Sequence, residues 1–105
     1  MAEQGKPTKI SFVYSNPTDP DAFETAYSDQ IALARKLPGL TRLQTSKVWP
    51  KEDGSPTPAY RLLDLYFADY AAASAAAEAG PLVTATIEHA TGGVVIAFAE
   101  VLEDA

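Results

Sequence analysis

The chain of 105 residues has no cysteine, a single histidine and an excess of acid over base: 14 Asp and Glu against eight Lys and Arg, a formal net charge of −6. Without cysteine there is no disulfide scaffold, no thiolate metal site and no cysteine nucleophile. With one histidine, any imidazole base or haem ligand has to be His89, and one imidazole among scattered acids does not make the convergent ligand set that a bound metal requires. The negative balance opposes binding to phosphate backbones and to anionic lipid surfaces, so neither nucleic acid nor membrane is an expected partner. The longest uninterrupted apolar run, Val94 to Ala99, is far too short to cross a bilayer, and no basic n-region precedes a long apolar stretch. A cytoplasmic protein is expected. The patterns G-x-S-x-G, G-x-G-x-x-G and G-x-x-x-x-G-K are also missing, which removes the nucleophile elbow, the dinucleotide fingerprint and the P-loop.

What is present is the patterning of one small domain, with 47% apolar and 21% charged residues, a balance that suits a packed core and argues against disorder. Residues 1–7 lack periodicity and read as a flexible N-terminal tail, leaving 8–105 as a single domain. From Thr8 to Ser15 the chain alternates, with Ile10, Phe12 and Tyr14 on one face, which predicts a strand. Asp19 and Pro20 then cap and open a helix running to about Leu37, closed by Arg35, Lys36 and the Pro38-Gly39 stop. Thr41 to Trp49 is a second strand of mixed alternation, followed by a polar loop with three of the eight prolines. Tyr60 to Phe67 is a third strand: Leu63, Leu65 and Phe67 line one face, Tyr60, Leu62, Asp64 and Tyr66 the other. Asp69 caps an alanine-rich helix that stops at Gly80-Pro81, a short helix covers Pro81 to His89, and after Gly92-Gly93 the last strand runs from Val94 to Val101.

This order, βαββαβ with an extra short helix before the last strand, predicts a ferredoxin-like α+β sandwich. Helices cover one face of a four-stranded sheet. The other face reads as largely apolar, so a second copy of the chain is expected to cover it.

One position breaks the pattern. At about 100° per residue, the first helix places Phe23, Tyr27, Gln30, Ala34 and Leu37 on a single stripe. A glutamine in aromatic and aliphatic company needs partners for two donors and an acceptor, so Gln30 is either a structural bridge or the polar group of a pocket.

Several segments resemble the EthD family of dimeric α+β-barrel proteins: the N-terminal strand with N-P-T-D-P-D-A-F, the helix end L-A-R-K-L-P-G-L, the strand Y-R-L-L-D-L-Y-F-A-D and the turn A-T-G-G-V. The resemblance covers roughly residues 9–101. It implies a homodimer whose sheets form a shared barrel, with a pocket in each subunit between sheet and helices. Related families on this superfold include cofactor-free polyketide oxygenases, cyclases, muconolactone isomerases and haem-degrading enzymes. EthD-like chains usually carry His-x-Pro-Leu-Ala ahead of Arg/Lys-Leu-Pro-Gly, whereas this chain reads Gln30-Ile31-Ala32-Leu33-Ala34. The histidine position is Gln30, which exchanges hydrogen bonds but does not titrate near neutral pH.

The resemblance therefore implies a small, cofactor-independent enzyme of catabolic or secondary metabolism acting on an aromatic or polyketide-like molecule by oxygenation, cyclisation or isomerisation. The alternative is a non-catalytic binding or accessory protein. A haem-degrading role comes third. The candidate catalytic groups are Gln30, Tyr27 and His89, although His89 also reads plainly as a solvated helix cap. The candidate ligand-binding side chains are Phe12, Tyr14, Phe23, Trp49 and Tyr66, amphipathic or apolar rings suited to a phenolic or quinoid ligand. No metal or cofactor is expected. Asp64, on an otherwise apolar strand face, is expected to pair with Arg61 or Arg42 across the dimer, or else to be a carboxylate of raised pKa.

Overall fold

The computed structural model describes residues 6–78 and 93–103. The short helix expected over Pro81 to His89 lies outside the described residues, and with it His89 and Gly92. The described elements are β1 (Thr8–Tyr14), α1 (Pro20–Ala34), β2 (Leu40–Lys47), β3 (Arg61–Phe67), α2 (Tyr70–Glu78) and β4 (Val94–Glu100). The four strands form one antiparallel sheet in the order β2-β3-β1-β4, the ferredoxin-like arrangement.

Period-two patterning sets the register. Thr8, Ile10, Phe12 and Tyr14 are buried while Lys9, Ser11 and Val13 are half-buried. Pairing Ile10 with Leu65 and Phe12 with Leu63 puts the large apolar side chains of the two central strands in one layer. A one-residue slip would turn that whole layer to the opposite face. Burying each such side chain stabilises the fold by about 1.5–3 kcal/mol. The helices close the layer from above: Phe23, Tyr27, Gln30 and Ala34 from α1, Ala73 and Ala76 from α2.

Local chemistry fixes where the helices begin and end. Asp19 is extended, and its carboxylate accepts the Ala22 N–H at 3.2 Å, with Pro20 opening α1. Asp69 does the same for α2 through the Ala72 N–H at 2.9 Å. The first helix ends at Ala34 rather than Leu37, and its last turn holds no basic residue. Arg35 and Lys36 lie beyond it in a tight turn closed by Leu37 N–H on the Ala34 carbonyl. Gly39 has φ +82, the left-handed conformation that lets the chain reverse into β2.

The mixed alternation of β2 has a physical cause. Its pairing with β3 shifts between Leu40 and Arg42, a bulge that exposes Thr41 and Arg42 together. The strand stops at Lys47, and Trp49 lies in the following loop, 87% exposed.

The outer face of the sheet differs from expectation. Val13, Leu62 and Val95 give it apolar side chains, but its centre is polar. Ser11 donates to Asp64 Oδ1 at 2.5 Å, and Lys9 Nζ lies 3.6 Å from the same oxygen. Asp64 thus finds its partners within its own chain, on the adjacent strand across the Ser11↔Asp64 pair. Arg61 projects from the opposite face and takes no part.

Candidate functional site

The helix-facing layer gathers four of the expected site residues around a fifth, Tyr14, which is wholly buried. Tyr14 is the last residue of β1, so its ring lies under the first three turns of α1. It stands edge-on to Phe23 (centroids 5.4 Å apart, 71°) and to Tyr27 (5.7 Å, 89°), and it stacks with Phe12 on its own strand at 6.2 Å. Phe23 and Tyr27, one turn apart on the helix, stack at 5.7 Å. Edge-to-face contacts of this kind add about 0.5–1.5 kcal/mol each beyond area burial. The rings pack against one another as one aromatic cluster, a cage of side chains between α1 and the sheet.

Gln30 completes the cage from the next turn of α1 and is 1% exposed. The Tyr14 hydroxyl donates to its Oε1 at 2.5 Å. The helical stripe therefore places Gln30 where the sequence predicts, and the structure supplies a phenol facing it. That pair satisfies an amide acceptor in surroundings where an unmet polar atom costs about 1–3 kcal/mol.

Tyr27 is anchored differently. Its hydroxyl donates to the Leu62 carbonyl at 2.7 Å, and the Arg61 guanidinium lies 4.8 Å from its ring centroid. Burial pushes its pKa up to about 12, while the nearby Arg61 charge pulls the other way. Tyr27 is consequently a neutral hydrogen-bond donor at physiological pH and not a phenolate base. Arg61 in turn holds Glu24 with two hydrogen bonds, Nε to Oε2 at 3.1 Å and Nη2 to Oε1 at 2.5 Å. The Arg61 hydrogen bond, opposed by partial desolvation, holds the Glu24 carboxyl below its usual pKa. The pair clamps the first turns of α1 to the start of β3, and Tyr60 packs edge-on against Phe23 at 5.4 Å beside it.

Glu24 and Arg61 are the site residues that the sequence reading misses. Arg61 was legible in principle: counting back by twos from Phe67, Leu65 and Leu63 puts it on the helix-facing side. Its partner, 37 positions earlier in the chain, carries no local signal. Tyr60 also leaves its expected face, because it precedes the regular part of β3 and turns toward α1.

Two expected ligand-binding residues stand apart. Tyr66 is on the outer face of the sheet, between the cations of Lys9 (5.8 Å) and Arg42 (4.9 Å). Trp49 is exposed in the loop after β2 and joins neither group. His89 lies outside the described residues. Three surface cavities lined by described residues lie away from the cage, around the N-terminal end of β1 and the C-terminal ends of β3 and β4. Among the described residues no group of three or more His, Cys, Asp or Glu side chains converges as a metal site, and no helix is long and apolar enough to cross a membrane.

Comparison with known proteins places this architecture. No family model matches the chain. It is 32% identical over 96 residues to the uncharacterised 11.0 kDa protein of the thcB-thcC intergenic region of Rhodococcus erythropolis, covering 88% of this chain and 92% of that protein. Among solved structures, an ethyl tert-butyl ether degradation (EthD) family protein from Bacillus halodurans superposes with a TM-score of 0.80 at 20% identity, covering 91% of this chain and 99% of that one. SnoaB, a cofactor-independent oxygenase from Streptomyces nogalater, gives 0.67 at 17% identity, with 95% and 96% covered. A dimeric ferredoxin-like protein from a Jannaschia species gives 0.66 at 22% identity, with 90% and 99% covered. The chain belongs to the family of the Rhodococcus erythropolis 11.0 kDa protein, and it has the ferredoxin-like fold of the Bacillus halodurans EthD family protein.

Proposed function

We propose that the protein is a homodimeric, cofactor-independent enzyme that acts on a small aromatic or polyketide-like molecule held between α1 and the sheet. The observation that carries this reading is the Tyr14–Gln30 pair, a phenol hydrogen-bonded to an amide inside an otherwise apolar cage. A few directed polar groups among rings suit a ligand that is mostly aromatic with one or two oxygens. Likeness in fold to a cofactor-independent oxygenase supports the reaction class. In this reading Gln30 and Tyr27 orient the ligand by hydrogen bonds, and Phe12, Phe23 and Tyr14 confine its rings.

Homodimerisation is proposed through the outer sheet face. A fold relative is dimeric, and Val13, Leu62 and Val95 present apolar surface there, with Val95 66% exposed. A stable sheet-on-sheet dimer would bury on the order of 1,500 Å² in total. Sedimentation velocity at micromolar concentration is expected to give a dimer; a monomer that loses no stability on dilution would refute it.

A second reading, a binding protein without turnover, is favoured by one observation: an amide stands where EthD-like chains usually carry a histidine. Native mass spectrometry of the protein from its own host is expected to find a bound aromatic metabolite, lost in Gln30→Leu with the fold intact. A Gln30→Leu protein that retains the metabolite, or an empty wild-type protein that Gln30→Leu merely stabilises, would overturn the pocket. Gln30→His then separates enzyme from carrier: a turnover or affinity that varies between roughly pH 5 and 8 is expected only if this position faces the ligand.

A further inference from the structure

Two exposed aromatic rings at the edge of the helix-facing layer take no part in the cage. In the edge strand β4, Phe98 stands opposite Ile10 and Glu100 opposite Thr8. Both therefore share the helix-facing side with the buried residues of β1, away from the face proposed for dimerisation. Tyr70 opens α2 one turn before the buried Ala73. The alanines let α2 sit close to the sheet, and a ring at the first helical position reaches past them to the edge strand. It meets Phe98 there, with centroids 5.6 Å apart and planes tilted by 52°. Tyr70 is 60% exposed and Phe98 41%. Beside the rings opens a cavity of about 190 Å³, lined by Lys6, Thr8, Tyr70, Phe98, Ala99 and Glu100. The Thr8 hydroxyl donates to the Lys6 carbonyl at 3.1 Å, and the Val101 N–H to the Pro7 carbonyl at 2.9 Å, which holds the backbone at Lys6 beside β4. Neither Lys6 nor Glu100 is in an ion pair with another described residue.

We propose that this cavity is a second binding site, independent of the cage under α1, for a small zwitterion that joins a methylated ammonium to a carboxylate. The ammonium rests on the rings of Tyr70 and Phe98 beside Glu100, and the carboxylate turns to Lys6.

Each part of the lining selects a part of the ligand. Two rings with exposed faces attract a cation through their quadrupoles, and a methylated ammonium brings an apolar outer surface that suits them. Glu100 supplies a counter-charge beside the rings, on a chain whose net charge of −6 favours the approach of cations. Lys6 would oppose a lone cation. A ligand that carries its own carboxylate turns Lys6 from an opponent into a partner, which makes the zwitterion the better fit. A neutral aromatic ligand would use the rings alone and leave both charges partly desolvated without a partner. Size sets the last limit, since about 190 Å³ lies below the range of drug-sized pockets and admits one compact headgroup.

The test titrates glycine betaine into the whole protein and reads amide chemical shifts. Two control probes each delete one charge: 3,3-dimethylbutyrate has the same shape with carbon in place of the ammonium nitrogen, and choline lacks the carboxylate. Betaine is expected to shift residues 6, 8, 70 and 98–100 saturably, with a Kd of about 1–10 mM and both controls at least about threefold weaker. Tyr70→Leu and Phe98→Leu keep apolar bulk but remove the ring face, and each should weaken betaine about two- to fivefold. Glu100→Gln should weaken betaine and choline while leaving 3,3-dimethylbutyrate unchanged or tighter, a split that a merely structural role would not produce. No saturable shift up to about 50 mM betaine, binding of either control as tight as betaine, or undiminished binding by all three variants would overturn the proposal. Shifts confined to residues 14, 27 and 30 would also overturn it, since they would place the zwitterion in the cage.

Discussion

The two faces of the central strands use the same backbone for opposite ends. On the side covered by α1, residues 10, 12 and 14 of β1 meet residues 65, 63 and 61 of β3, and all but Arg61 are fully buried, the Tyr14 phenol among them. On the other side, residues 9, 11 and 13 meet 66, 64 and 62, and the contacts are an ion pair, a hydroxyl–carboxylate hydrogen bond and a cation over an aromatic ring. The first face is held by exclusion of water and has one interior polar pair. The second keeps its charges satisfied locally, on adjacent strands, with Val13, Leu62 and Val95 beside them. A sheet can thus carry an aromatic cage on one side and locally paired charges on the other, with only alternation separating them.

The largest expected effect breaks the first face. Leu63→Ala removes a fully buried side chain beneath the helices and should cost about 2–5 kcal/mol by urea denaturation. Leu62→Ala, one residue away on the half-buried outer face, should cost much less in the monomer and act instead on dimer dissociation. If the two variants destabilised equally at high dilution, the contrast between faces would be wrong.

The polar pair inside the cage comes next. Tyr14→Phe removes the donor to Gln30 Oε1 and should cost about 1–2 kcal/mol, as should Gln30→Leu alone. The double variant is expected to recover part of the loss, with a coupling of about 1 kcal/mol in a double-mutant cycle. Strict additivity would mean that phenol and amide do not depend on each other.

Gly39→Val tests the turn that aims β2 across the sheet. A side chain there would meet only ordinary contacts, Ala72 Cβ at 3.6 Å and Phe67 Cδ2 at 3.8 Å. The cost of about 1 kcal/mol or more is therefore conformational, arising from φ +82. An unchanged melting temperature would show that the turn relaxes freely.

The smallest effects are pH-dependent and belong to the clamp at the rim of the cage. The Tyr27 pKa, raised from 10.0 to about 12, means that the folded protein holds the phenol proton more tightly than the unfolded chain. That stability is complete below pH 10 and is lost as pH rises toward 12. Glu24 is the converse. Its pKa lies below the ordinary 4.5, so its contribution is present above that value and disappears as pH falls through the lowered one. Glu24→Gln should flatten this acid limb with a change of only about 0.5–1 kcal/mol at neutral pH, as expected for a half-exposed ion pair. An acid limb identical in wild type and variant would show that Glu24 contributes nothing to it.

The amino-acid order by itself determined the elements and the inner layer, because both depend on local periods. Alternation at Ile10, Phe12 and Tyr14 fixed β1, the Asp19-Pro20 and Asp69 caps fixed both helix starts, and the 3.6-residue stripe brought Phe23, Tyr27, Gln30 and Ala34 to one line of contact. Those signals act over a few residues and survive without knowledge of what lies opposite. What only the tertiary structure decided was the pairing across long separations. Tyr14 became the partner of Gln30, Arg61 the clamp on Glu24, and Lys9 with Ser11 the neighbours of Asp64. It also placed Tyr66 on the outer face and Trp49 in solvent. An aromatic or charged side chain has the same local propensity in a cage, at an interface or in a loop. Only sheet register, and at β2 a single bulge, settles which of these it meets.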